Sequence, residues 1–101
     1  MSFRIIHDHE ADFEFREAVA WYEGQSDGLG VRFVHQVNEV MQSISCQPFR
    51  FSKAGAKSRK ARVNGWPYTI FFAINEAHFE FKVIAVWHGA RNPEELRRRL
   101  A

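Results

Sequence analysis

The chain has 101 residues, 46% hydrophobic and 26% charged, enough for one buried core and too few for two, so a single domain over residues 1–101 is expected. No apolar run reaches bilayer-spanning length, and charge interrupts the N-terminal MSFRIIHDHE before a signal-peptide core can form; a cytoplasmic location is expected and a membrane partner is not. Cys46 stands alone, which excludes an internal disulfide, and is expected as a small buried apolar group.

The net charge is only +2, but it is unevenly spread. Asp8 to Glu39 is acidic, carrying Glu10, Asp12, Glu14, Glu17, Glu23 and Asp27 against Arg16 and Arg32. Val40 to Asn75 has no acid and carries Arg50, Lys53, Lys57, Arg59, Lys60 and Arg62. The tail adds Arg91, Arg97, Arg98 and Arg99. Such a field favours an anionic partner, either a nucleic acid or an acidic protein segment.

In chain order, Phe3 to Ile6 is a short apolar run that suits a first strand. Asp8 is placed to cap a helix whose first turn holds Glu10 and Asp12, facing the positive end of the dipole. Ala11, Phe15, Ala18 and Tyr22 recur at helical spacing, Val19 and Trp21 widen that stripe, and Gly24 is expected to end it. After the link from Gly24 to Gly30, Leu29, Phe33, Val37, Val40, Met41 and Ile44 mark one face of a second helix, which Pro48 closes. Two amphipathic helices on so short a link form an antiparallel hairpin.

Phe49 to Lys57 has no period and is expected to be a loop. The period then becomes two. Arg59 to Val63 suits a strand, and Asn64-Gly65 marks a tight turn in which both residues accept positive φ. Along Pro67 to Ile74, Tyr68, Ile70, Phe72 and Ile74 share one face, opposite Thr69, Phe71 and Ala73. After a turn at Asn75 to His78, strand Phe79 to His88 places Phe79, Phe81, Val83, Ala85 and Trp87 on one face and Ile84 and Val86 on the other, as in a central strand. Pro93 opens a short helix over Glu94 to Leu100, acids first and arginines last. The expected fold is α+β: an N-terminal strand and an antiparallel helical hairpin packed on a small antiparallel sheet, in the order β-α-α-β-β-β, with a short C-terminal helix.

Four stretches carry a resemblance. Glu17 to Glu23 (Glu-Ala-Val-Ala-Trp-Tyr-Glu), Gly28 to Phe33 before Pro48, Gly65 to Phe72, and Val83 to Pro93 with its His88-x-x-Arg91-x-Pro93 run are similar, in this order, to RelE/ParE toxins of type II toxin–antitoxin systems. The similarity covers roughly residues 8 to 98 and is greatest to the ParE, or plasmid-stabilisation, branch. It implies a bacterial, growth-inhibiting toxin, neutralised in a hetero-oligomer by a cognate antitoxin. ParE-type members bind and inhibit DNA gyrase; RelE-type members cleave messenger RNA on the ribosome.

Ribonuclease chemistry needs a base, an acid and cations for the phosphate. Here the candidates are Arg59, Lys60, Arg62, His88 and Arg91, but Glu95 and Leu96 stand where RelE-type enzymes carry a terminal Tyr. The catalytic set is incomplete, so the chain is read as a gyrase inhibitor, with ribonuclease action as the alternative. The residues expected to meet the target or the antitoxin are Arg50, Lys53, Lys57, Arg59, Lys60, Arg62, Trp66, Arg91, Arg97, Arg98 and Arg99. The competing reading is a solvated charge run that protects a sheet edge. His7 and His9 are too few for a metal site, Gly28-x-Gly30 lacks the spacing of a phosphate loop, and no metal or cofactor is expected.

Overall fold

The computed structural model describes residues 2–101. The elements are β1 (Arg4–His7), α1 (His9–Gln25), α2 (Leu29–Cys46), β2 (Ser52–Lys53), β3 (Arg59–Val63), β4 (Tyr68–Asn75), β5 (Glu80–His88) and α3 (Pro93–Leu100). They form one five-stranded sheet in the order β1-β5-β4-β3-β2. This is the expected α+β plan with two corrections. The sheet is mixed, because β1 enters parallel to β5. The stretch expected to be a loop holds a 3-10 turn at Pro48–Arg50 and the two-residue strand β2, paired with Arg59 and Lys60.

The α1–α2 hairpin covers one sheet face. Its inward residues Ala11, Ala18, Tyr22, Phe33, Val37 and Ile44 meet Ala61, Val63, Ile70, Phe72, Phe81, Val83 and Val86. On the other face Phe71, Ala85 and Trp87 are covered by Leu96 and Leu100 of α3. Ile84 marks why β5 serves both faces. Phe71 pairs with Ala85 but Phe72 with Val83, leaving Ile84 as an extra residue in a bulge. The strict alternation expected along Phe79 to Trp87 therefore breaks. Phe81 and Val83 face the helices, whereas Ala85 and Trp87 face α3.

The helix junction shows what holds the hairpin together. Gly24 does not end α1, which runs on to Gln25. Asp8 precedes α1 but makes no side-chain cap. The Glu23 carboxylate instead caps α2, accepting from the amides of Gly28 and Gly30 at 2.9 Å each. A Cβ on Gly30 would lie 2.8 Å from the Val19 carbonyl, so only glycine lets the helices approach this closely. Gly28 takes φ +85° at the turn.

Three further expectations are corrected. Only Gly65 has positive φ in the β3–β4 turn, and the link spans four residues, because Trp66 is drawn inward against Tyr22. Cys46 is exposed, since it sits two residues, about 200° of helix, beyond the buried Ile44. Trp21, 61% exposed, lies outside the core stripe.

Candidate functional site

Strand β1 ends at His7, so from Ile84 onward β5 has no neighbouring strand on that side among the described residues. An ion pair fills the gap. Glu14 of α1 accepts the Val86 amide at 3.0 Å, and Arg99 of α3 donates to the Ile84 carbonyl at 2.5 Å. Arg99 also binds Glu14 at 2.5 Å, and Arg91 adds a second bond to that carboxylate at 2.5 Å. Together the two side chains supply the acceptor and donor that a strand would supply. The Arg91 guanidinium stacks on the Trp87 ring, 3.8 Å from its centroid. Burial alone would lower the Arg99 pKa, but the hydrogen bond and charge of Glu14 outweigh it and hold the guanidinium above its ordinary value.

The tail arginines are thus largely neutralised within the chain. Arg91 pairs with Glu14 and Glu95, Arg97 with Glu94, and Arg99 with Glu14 and Glu10. Arg98 is exposed and makes no ion pair among the described residues.

The central bases divide into two groups. The pairing rows Lys60–Phe71–Ala85 and Arg62–Thr69–Trp87 put Lys60 and Arg62 on the face away from the hairpin. There they join Arg50 around a shallow hollow of about 500 Å3, with Ser52 and Thr69 supplying hydroxyls. Lys53, Lys57 and Arg59 surround a smaller hollow of about 210 Å3 beside Phe49 and Ile74. Arg59 is tied into the fold there, donating to the carbonyls of Phe49 (3.1 Å) and Phe51 (2.7 Å). Among the described residues Arg50, Lys53, Lys57, Lys60 and Arg62 have no carboxylate partner. Trp66, expected at a partner surface, packs on Tyr22 and Phe33 at 4.6 and 5.1 Å between ring centroids and is half-buried.

The candidate ribonuclease residues do not form one cluster: His88 and Arg91 line the same side of the molecule, apart from Lys60 and Arg62. His88 lies in the row of Tyr68 and Val63, on the hairpin face, with its ring edge-on to Tyr68. Its Nδ1 accepts the Ala90 amide at 2.9 Å, fixing the ring beside the closing turn. Lys60 and Arg62 are on the opposite face, and Arg91 is held by Glu14.

A feature that the charge pattern does not reveal is a groove of about 700 Å3 between α1 and the end of β5. Phe13, Glu17 and Trp21 form one wall; Tyr68, Val86, His88 and the Glu14-paired Arg91 form the other. Phe13 and Trp21 are each 61% exposed. Their spacing at i and i+8 around Glu17 is visible in the sequence, but Trp21 also fits the widened apolar stripe of α1.

No family model matches the sequence. No curated protein matches it either. The structure resembles a chain of the chromosomal ParDE TA system from P. aeruginosa, with a TM-score of 0.70 at 11% identity, over 86% of this chain and 96% of that one. At that identity the likeness is one of fold.

Proposed function

We propose that this chain is the toxin component of a type II toxin–antitoxin system, that a cognate antitoxin neutralises it in a hetero-oligomer, and that it inhibits DNA gyrase by binding in the cytoplasm. The observation that carries this reading is the shared fold, which extends over 96% of the ParDE-system chain. Fold alone does not fix function, so the surface must supply the rest. The hollow of Arg50, Lys60 and Arg62, without internal carboxylate partners among the described residues, suits an acidic segment of the antitoxin or a DNA-bearing target. Gyrase inhibition is favoured over messenger-RNA cleavage because the cations Lys60 and Arg62 lie on the sheet face opposite the candidate base His88, and Arg91, which shares the α1–β5 groove with His88, is already paired with Glu14 and Glu95. General acid–base catalysis needs base and cations within hydrogen-bond reach of one substrate. The test is induced expression of the intact chain in bacteria, alone and with the protein encoded next to it. Growth arrest that the neighbour relieves is expected; uninterrupted growth with the folded chain present would overturn the reading.

A further inference from the structure

The α1–β5 groove is chemically opposite to the basic hollow. On α1, Phe13, Glu17 and Trp21 follow one another at four-residue intervals, about 6 Å apart along the helix axis. Both rings are 61% exposed, an unusual placement for two aromatics unless a partner covers them. Glu17 between them is exposed and has no ion-pair partner among the described residues, whereas Glu14 deeper in the groove is consumed by Arg91 and Arg99. Glu10 at the rim reaches Arg99 only at 3.6 Å. The groove thus offers a carboxylate flanked by open aromatic faces, the environment that holds a guanidinium or ammonium group through charge and ring quadrupole together.

We infer that this groove docks an apolar segment of the partner protein bearing an arginine or lysine, its cation seated over Glu17 between Phe13 and Trp21. The inference rests on the toxin reading for the partner's identity and gives that partner a mixed character. An acidic stretch suits the Arg50–Lys60–Arg62 hollow, and a separate cationic, apolar stretch suits α1. An acidic segment laid along α1 would meet Glu10 and Glu17 and be repelled, since the groove's Arg91 is already paired with Glu14 and Glu95.

The probes are two synthetic amphipathic peptides of leucine and alanine, one with arginine at every fourth position and one with glutamate there. They are titrated calorimetrically against the intact chain. The arginine peptide is expected to bind about tenfold or more tightly than the glutamate peptide, and more weakly as salt rises. Glu17→Lys should reverse the preference, and Trp21→Ala should weaken the arginine peptide about tenfold. Both side chains are exposed, and unchanged circular dichroism would establish that the variants fold. Equal binding of the two peptides, binding of neither, an unaltered preference in Glu17→Lys, or occlusion of the groove by self-association would each overturn the inference. Growth arrest is scored separately: arrest without the peptide preference sinks this inference alone, and the preference without arrest sinks the toxin reading alone.

Discussion

Arg99 on the last helix binds Glu14 on the first, Nη1 to Oε2 at 2.5 Å, across 85 positions of sequence. Each also bonds the backbone of β5, Arg99 to the Ile84 carbonyl and Glu14 to the Val86 amide. With side-chain exposures of 15% and 11%, this pair is shielded from the solvent that makes surface ion pairs weak. Arg99→Ala should therefore destabilise the chain by about 2–4 kcal/mol, since it leaves Glu14 short of a partner and Ile84 without a donor. Urea unfolding measures this, and a loss under about 0.5 kcal/mol would place the pair among ordinary surface contacts.

The same pair bears on how α3 is probed. Deleting α3 does not separate toxicity from folding, because it would strip Arg99 from β5 and uncover Phe71 and Trp87. Truncation after Asn92 should lower the unfolding midpoint and expose apolar surface to a dye such as ANS. Arg98→Ala is the clean variant, because Arg98 is exposed and makes no ion pair among the described residues; its stability should change by less than about 0.5 kcal/mol. A truncated chain with the parent's unfolding midpoint would refute the role given to α3.

Gly30→Ala should cost about 1–3 kcal/mol, because the added methyl meets the Val19 carbonyl, a backbone atom that cannot rotate away. Glu23→Ala should cost about 1 kcal/mol through the lost bonds to the Gly28 and Gly30 amides. Thermal unfolding of both variants checks the order; a neutral Gly30→Ala would mean that the hairpin shifts to make room.

Burial raises the Tyr22 pKa above its ordinary 10.0, and burial followed by the neighbouring Tyr22 does the same for Tyr68. For both, the fold prefers the neutral phenol, so the unfolded chain releases its proton first. Their contribution to stability is complete below pH 10.0 and is lost as pH rises through the folded values. The melting temperature should fall as pH is raised from about 9 to about 11, and less so in Tyr22→Phe. A pH-independent melting temperature over that window would contradict the assignment.

Much of the fold was legible in the residues. The stripe of Phe33, Val37 and Ile44 and the period-two run of Tyr68, Ile70 and Phe72 fall on the faces that periodicity assigned. What periodicity could not show was the Ile84 bulge, since two apolar faces along β5 look the same in any register. The parallel entry of β1 was equally hidden, because four residues do not reveal direction. For the candidate site, the sequence showed that residues 40–75 are basic, but not that Lys60 and Arg62 part from Arg59 across the sheet. It also could not foresee that Glu14 would neutralise Arg91 and Arg99, a contact made only when the two chain ends meet.

If the hollow of Arg50, Lys60 and Arg62 receives an acidic antitoxin segment, Lys60→Glu with Arg62→Glu should weaken the complex by about tenfold or more and flatten its salt dependence. Both side chains are exposed, so the fold should be retained. Unchanged affinity in a calorimetric titration would remove the hollow from the interface.

The proposal on the target is tested most directly by adding the purified chain to gyrase and relaxed plasmid while following a defined messenger RNA in a translating extract at the same dose. Inhibited supercoiling beside an intact transcript is the predicted result. Undiminished supercoiling beside a cleaved transcript would contradict it and would assign the chain to the ribonuclease alternative.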